Sequence, residues 1–420
     1  MTATHRWPRL GLGLVLVTTL FTLLLGFAHK SLCLIGEGFN ANAYRLECYN
    51  DIVPLYRDEG LLRGDVPYLE APNEYPVGTG LFMWGTSQFG RGEGDFFVAN
   101  AVLLGALGVL TSWLLYLAVG GRAMYFALAP TLALYAFLNW DLLVVAIGMA
   151  ATVAFLRRRD AAAGVLLGLG IASKLYPVLL LLPFALERRR EGDRSGALRL
   201  LTWAAVTWAA INLPFMLLSF DRWGEVFRLN SSRPIDWGTV WYAACRTITG
   251  RVDCGHVQLV NVSSVVLFAI LAVVTWRAKV SRESGVPRWT LGFPLLILFL
   301  LTTKVYSPQY SLWLIPWFAL VLPDLRLFLA FEAADVAVFV TEFSWLGRYF
   351  NGEGLPIWPL QVAVIVRAAV LVVVLAAYVR RTTGADAAVP SVAEVRPLSI
   401  LRRRRTREAP AGDARPLGPG

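Results

Sequence analysis

Long apolar runs separated by short polar stretches follow one another along most of the chain. A transmembrane helix needs about 20 apolar residues, because every backbone amide within lipid must be hydrogen-bonded inside its own segment. Five runs meet this requirement most clearly, at residues 11–28, 97–119, 198–220, 257–276 and 357–378. With the shorter apolar pairs between them, the pattern predicts an all-α polytopic membrane protein with about twelve transmembrane or re-entrant helices.

One pair of apolar runs is too short for two full crossings. The segment "AAAGVLLGLGIASKLYPVLLLLPFAL" lies between Arg159 and Arg188, whereas two crossings need about 40 residues. We therefore expect a half-depth hairpin or two short helices, with "SKLYP" as the turn and Lys174 well inside the membrane. The segment "LLTTKVYSPQYSLWLIPW" has a similar pattern, with Lys304 and Tyr306 between two apolar runs.

Arginine clusters orient these segments. The chain is 56% hydrophobic and only 16% charged, which is too apolar for a soluble domain, and short cytoplasmic loops of membrane proteins collect Lys and Arg. The clusters lie at residues 5–9, 157–159, 188–190, 277–288 and from 380 onward. We therefore expect both termini in the cytoplasm and a multi-pass protein of a bacterial plasma membrane.

The same orientation places two loops together on the extracytoplasmic side, at residues 29–96 and 221–256. It divides the chain into a membrane domain, 1–380, and a basic, disordered tail, 381–420. The net charge of +10 is thus a topology signal, and the partner of the tail is the anionic membrane surface. Binding of nucleic acid is not expected, since the tail lacks a folded aromatic platform.

Only four of the 39 basic residues are lysines, and Lys174 and Lys304 are two of them. An ionisable residue at membrane depth costs roughly 2.5–3.5 kcal/mol, so it usually has a function. A site for the phosphate of a lipid is one interpretation. The alternative is that each lysine extends to a headgroup or pairs with a structural carboxylate.

The extracytoplasmic loops mix carboxylates with aromatic residues and prolines. Aromatic faces stack on sugar rings while carboxylates bind hydroxyl groups, so the first loop suits a polar, hydroxyl-bearing substrate. In the second loop, Arg233 can form a forked contact with phosphate oxygens, next to Trp237. The alternative for this loop is docking on the membrane interface.

Four cysteines lie in these loops, Cys33 and Cys48 in the first and Cys245 and Cys254 in the second. Two disulfides are possible in an oxidising compartment, and free thiols are the alternative. The spacings do not resemble a zinc site.

Several motifs resemble the GT-C glycosyltransferases. They are "YNDIVPLYRDEGLLRGDVPY", "EYPVGTG", "NWD", "SKLYPVLLLLP" and "KVYSPQYSLWLIPW", in this order along the chain. The sequence is most similar to glycosyltransferase family 87, a family of bacterial enzymes that use polyprenyl-phosphate-mannose. The "KLYP" motif is also similar to eukaryotic GPI mannosyltransferases.

The resemblance implies a GT-C fold, an inverting transfer from a polyprenyl-phosphate sugar, and an essential aspartate just after the first helix. That residue is Asp51, which we expect to act as general base, because a partly desolvated carboxylate has a raised pKa. The alternative is that Asp51 caps the helix starting near Ile52, and Asp58 and Glu59 are the reserve bases. No D-x-D pair is present, so no metal and no cofactor are expected.

The leaving lipid phosphate needs cationic stabilisation and no proton. For this role we expect Lys304, Lys174 and Arg233, in that order. Asp141, in "NWD", is either part of the site or a helix cap. The residues expected to bind substrate are Tyr56, Tyr68, Glu74, Tyr75, Trp237, Tyr306, Gln309 and Tyr310.

The acceptor is expected to be an envelope glycolipid or polysaccharide. The preference for Arg over Lys is typical of a high-GC bacterium, where we expect mannose or arabinofuranose, and the resemblance favours mannose. Two other classes are alternatives. A transporter would show internal repeats and ionisable residues along a through-path, which the sequence lacks, and a scaffold would tolerate loss of Asp51.

Overall fold

The computed structural model describes residues 10–36, 38–250 and 256–381. Within these ranges the protein is helical, and its β-structure is limited to an isolated bridge between Pro67 and Ala71. The prediction of an all-α protein is confirmed. The predicted tail lies outside the described residues except for Arg381.

The helices differ widely in length, from single turns to seven turns. In chain order they are α1 (Leu12–Ser31), α2 (Phe39–Asn42), α3 (Ile52–Asp58), α4 (Val77–Ser87), α5 (Glu93–Val119), α6 (Met124–Ala127), α7 (Pro130–Tyr135), α8 (Asp141–Leu156), α9 (Asp160–Ser173), α10 (Val178–Arg190), α11 (Arg194–Leu218), α12 (Phe220–Trp223), α13 (Glu225–Ser232), α14 (Val240–Thr249), α15 (Val257–Arg282), α16 (Gly292–Thr302), α17 (Ile315–Val321), α18 (Leu325–Asn351) and α19 (Ile357–Arg380). Short 3₁₀ helices connect some of them, at Leu32–Leu34, Leu61–Arg63, Gly120–Ala123, Arg288–Leu291 and Pro308–Trp313.

Five helical segments of the described chain are long and apolar enough to cross a membrane. They are Leu12–Leu34, Glu93–Ala127, Arg194–Leu218, Val257–Arg282 and Ile357–Arg380. Each contains most or all of one of the five long runs that the sequence pattern predicted. Shorter apolar helices lie at Asp141–Leu156, Asp160–Ser173 and Arg288–Thr302, and the total of about twelve stays a prediction.

The stretch between Arg159 and Arg188 forms two short helices, α9 and α10, joined by a turn at residues 174–177. Helix α9 packs along α11 through Gly164 and Gly168, where a Cβ atom would collide with the carbonyl oxygens of Leu200 and Ala204. Small residues at this spacing let helix backbones approach closely in membranes. Of the two alternatives for this segment, the structure contains the two short helices.

The first loop is folded against the membrane helices. A disulfide joins Cys33 to Cys48, and the ring of Tyr56 on α3 stacks on Phe96 of α5 with centroids 4.4 Å apart. Cys245 in the second loop is also disulfide-bonded, and its predicted partner Cys254 lies outside the described residues. The loop is thus held rigidly three residues before Asp51.

Candidate functional site

Asp51 lies at the start of α3 with its carboxylate available for chemistry. The helix is capped by its neighbour, since Asn50 Oδ1 accepts a hydrogen bond from the Val53 amide at 3.0 Å, and the Asp51 side chain makes no capping bond. The backbone amide of Asp51 donates to Leu138 O at 2.8 Å, which ties the loop to the chain entering α8. Asp51 is half-buried, and helix capping does not explain its carboxylate.

Asn139 orients that carboxylate. Its Nδ2 donates to Asp51 Oδ2 at 2.9 Å and to the Tyr75 hydroxyl at 2.6 Å, while its Oδ1 accepts from the amide of Trp140. Trp140 in turn packs edge-on against Tyr75, with centroids 5.4 Å apart. Within the "NWD" motif, only Asp141 was predicted as a site residue, with a helix cap as the alternative. The first residue of the motif was the missed signal, because an amide just before a buried helix can reach a side chain from another loop.

The motif "EYPVGTG" places Tyr75 against the turn that carries Lys174. The Thr79 hydroxyl donates to Ser173 O at 2.7 Å, and a Cβ at Gly78 would collide with Ser173 Oγ. The start of α4 therefore docks directly on the end of α9. As a result, the Lys174 ammonium lies 5.8 Å from the centroid of the Tyr75 ring.

Lys174 is paired with Asp141. Its Nζ donates to Asp141 Oδ2 at 2.6 Å, and its side chain retains 13% exposure. The other oxygen of Asp141 accepts from Trp313 Nε1 at 2.6 Å. Because the carboxylate neutralises the ammonium, Lys174 brings little uncompensated positive charge to the site.

An aromatic ladder forms one wall beside Lys174. Tyr310 stacks on Trp313, and Trp313 on Tyr176, with centroids 4.2 and 4.3 Å apart; Tyr306 follows at 6.4 Å from Tyr310. The Lys174 ammonium lies 4.7 Å above the Tyr310 ring. Tyr306, Trp313 and Tyr176 are buried, and Tyr310 is the half-buried member of the ladder.

Lys304 and Arg233 differ in whether their side-chain donors are already used within the protein. The Lys304 ammonium donates to the backbone oxygens of Arg233, at 2.8 Å, and Ser231, at 3.2 Å, so it fixes the end of α13. The Arg233 side chain is exposed, and its guanidinium has neither an ion pair nor a hydrogen bond within the described chain. Arg233 is therefore the cation here with unused donors, and phosphate binding by Lys304 and Lys174 stays a prediction.

Asp51 and Glu74 share one electrostatic environment. Burial raises the pKa of Asp51, while hydrogen bonds from Asn139 and Tyr49 and the charges of Arg233 and Lys174 lower it. Burial and then the charge of Asp51 raise the pKa of Glu74, which the same two cations lower. Asp51, Glu74 and Arg233 therefore lie close enough for their charges to act on one another.

The other predicted substrate-binding residues are placed differently. Tyr56 and Tyr68 are buried in the packing of the first loop, where the Tyr68 hydroxyl donates to Tyr75 O at 2.8 Å. Trp237 Nε1 donates to Glu342 Oε1 at 2.7 Å. Gln309 is buried, and its Oε1 has no hydrogen-bond partner in the described part of the chain.

The reserve bases also differ in position. Asp58 is exposed, whereas buried Glu59 accepts a hydrogen bond from the Glu74 amide at 3.1 Å. Burial raises the pKa of Glu59 to about 7. Glu59 thus supports the backbone that presents Glu74.

Among the described residues, no group of three or more His, Cys, Asp or Glu side chains is arranged to hold a metal ion. An apolar cavity of about 420 Å³ lies between α10, α15 and α16, and residues such as Leu186, Trp276 and Leu298 line it. It contains none of the residues described above. The candidate site is therefore the set of residues around Asp51 that contact its carboxylate or act on its charge.

The chain matches the model of a protein family and is similar to solved structures. The model of glycosyltransferase family 87 matches residues 74–308, more than half of the chain. Two crystal structures of ArnT from Cupriavidus metallidurans are similar, each with a TM-score of 0.45. The structure bound to undecaprenyl phosphate shares 16% identity and covers 92% of this chain and 78% of ArnT; for the apo state the values are 15%, 91% and 77%. No curated protein matches the chain.

Proposed function

Because the chain belongs to glycosyltransferase family 87, the GT-C family that its motifs resemble, we propose that it transfers mannose from a polyprenyl-phosphate donor. The acceptor is a hydroxyl group of an envelope glycolipid or glycan. Family membership makes the chain a glycosyltransferase, and the lipid-linked donor fits an enzyme built from apolar helices. Mannose is favoured by the family resemblance, with arabinofuranose as the second candidate.

The observation that carries the mechanism is the half-buried carboxylate of Asp51 within electrostatic reach of the Arg233 guanidinium, which has no ion pair in the described chain. Asp51 takes the proton of the acceptor hydroxyl as its oxygen bonds to the anomeric carbon. The bond from that carbon to the phosphate oxygen breaks, and the leaving lipid phosphate gains a negative charge. Arg233 stabilises this charge with forked donors. A single displacement of this kind inverts the anomeric carbon.

The arrangement of charges supports an extracytoplasmic site. Helix α10 starts after Lys174 and ends in Arg188, Arg189 and Arg190, and α16 runs from the segment of Arg288 toward Lys304. The arginine clusters thus lie at the helix ends opposite the site. Under the positive-inside rule those ends are cytoplasmic, and Asp51 is on the outer side.

Transfer of radiolabelled mannose from polyprenyl-phosphate-mannose to extracted envelope lipids tests the proposal. We expect Asp51→Asn to lower the transfer rate by about 10³-fold, as for loss of a general base, at matched expression in membranes. Asp58→Asn, an exposed aspartate on the same short helix, is the control and should retain activity. Equal activity of wild type and Asp51→Asn would exclude Asp51 as base, and transfer only from polyprenyl-phosphate-arabinofuranose would exclude mannose.

A further inference from the structure

Arg367 is a buried arginine in the middle of a helix long and apolar enough to cross a membrane. It is 1% exposed and lies about 15 Å along α19 from Ile357, at 1.5 Å per residue. Ionisable residues at such depth are costly and usually functional. Neither the sequence motifs nor the proposed chemistry accounts for it.

The guanidinium of Arg367 joins three separate parts of the chain. Its Nη1 donates to Asp335 Oδ1 on α18 at 3.0 Å, and its Nη2 donates to Gly238 O in the second loop at 2.7 Å. Its plane also lies over the Tyr306 ring, 3.7 Å from the centroid. A flat fork that stacks and binds in two directions is a property of arginine that lysine lacks.

The contact with Arg367 gives the backbone carbonyl of Gly238 a hydrogen-bond donor. Residues 236–239 are irregular backbone that reaches the depth of Arg367, and non-helical carbonyls at membrane depth need partners from the protein. The loop lies against the segment that carries Tyr306, since Asp236 N donates to Lys304 O at 2.9 Å. A Cβ atom at Gly238 would come within 2.9 Å of Tyr306 O.

The second loop and the segment that carries Tyr306, which Arg367 holds together, both lead to the site. The loop continues back to Arg233, and Tyr306 begins the ladder that continues to Tyr310. The Tyr306 hydroxyl also shares a hydrogen bond with Ser311 Oγ at 3.0 Å, and Ser311 donates to Asp335 Oδ1 at 2.7 Å. The ion pair and the ladder therefore form one network.

We propose that Arg367 is a positioning residue, which clamps the second loop to the aromatic ladder and so places Arg233 against the donor phosphate. The inference rests on the proposed function, because it assigns Arg233 to the donor. Arg367 itself contacts neither the donor nor the acceptor. Its loss affects binding of the donor more than binding of the acceptor, whose partners Asp51 and Glu74 belong to the first loop.

Arg188 provides a matched control. It is fully buried, donates to Asp160 Oδ1 at 2.7 Å and to Phe155 O, and lies 3.9 Å from the centroid of the Phe155 ring. The kinds of contact are the same as for Arg367. Arg188, however, lies at the other end of α10 from the site.

Arg367→Lys and Arg188→Lys are compared in purified full-length protein by steady-state transfer. We expect Arg367→Lys to raise the KM for polyprenyl-phosphate-mannose by about 10-fold or more, with the acceptor KM within about two-fold of wild type. Arg188→Lys should leave both KM values unchanged. An unchanged donor KM in Arg367→Lys, or an equal rise in both KM values, would overturn the inference.

Hydrogen–deuterium exchange separates this inference from the proposed function. Arg367→Lys should speed exchange of amides in residues 236–240, and Arg188→Lys should not. Faster exchange in a protein whose wild type transfers no sugar would leave the clamp standing and refute the transfer reaction. Unchanged exchange in an active enzyme would refute the clamp alone.

If Arg367→Lys does not fold, Gly238→Ala tests the same contact and should raise the donor KM.

Discussion

The two ends of helix α10 hold their charges in different ways. At its C-terminal end, the guanidinium of Arg188 forms ion pairs with Asp160 and, at 3.1 Å, with Glu191. Glu187 pairs with Arg190. Near its start, Lys174 is matched by Asp141, but Arg233 has no ion pair within the described chain.

This difference distinguishes structural charge from functional charge. Buried ion pairs with complete hydrogen bonding hold elements together and have little capacity for a ligand. Around Asp51, two half-buried carboxylates lie within electrostatic reach of Arg233, whose exposed guanidinium has no ion pair within the described chain. Carboxylates with perturbed pKa values near a cation that is open to a ligand are typical of a functional site.

The largest effect within this comparison is expected for Arg233→Met. Because the leaving phosphate would lose its forked donor, kcat/KM for the donor should fall by about 10²-fold, the equivalent of about 2–3 kcal/mol for a hydrogen bond to a charged group. Arg228→Met is the control, since Arg228 lies on α13, which ends just before Arg233, and pairs with Glu225. A similar loss in both variants would show that the effect comes from the helix and not from the free guanidinium.

A smaller effect is expected for Asn139→Leu. The hydrogen bond from Asn139 lowers the pKa of Asp51, so its loss raises that pKa further, and the acidic limb of kcat/KM should move to higher pH. At a pH on this limb we expect a loss of about 10-fold. Asn42→Leu removes a buried asparagine that bonds Leu32 O and Ile35 O. If that control shifts the limb equally, Asn139 has no specific role.

The smallest effect is expected for Glu74→Gln. The charge of Asp51 raises the pKa of Glu74. Because repulsion between two like charges acts in both directions, we expect removal of the charge of Glu74 to lower the pKa of Asp51. The acidic limb should therefore move to lower pH, opposite in sign to Asn139→Leu, with kcat/KM above the limb within about three-fold. Exposed Glu70→Gln should leave the profile unchanged. A shift to higher pH would contradict a shared environment.

The sequence by itself determined the helices and the class of protein. Length and apolarity specify a membrane helix locally, so the five long segments, the short α9–α10 hairpin and its turn at Lys174 could be predicted without knowledge of their neighbours. The motifs likewise identified the family, which the match over residues 74–308 confirms. Asp51 was singled out for the same reason, as a motif residue.

Only the tertiary structure decided which charges are already matched. Asn139 meets Asp51 across 88 residues of chain, Lys174 meets Asp141 across 33, and Asp141 meets Trp313 across 172. No periodicity or spacing encodes such pairings, because they arise where helices distant in sequence pack together. For that reason the sequence ranked Lys304 and Lys174 above Arg233 and passed over Arg367, whereas the fold brings Arg233 within electrostatic reach of Asp51 and leaves it without an ion pair among the described residues.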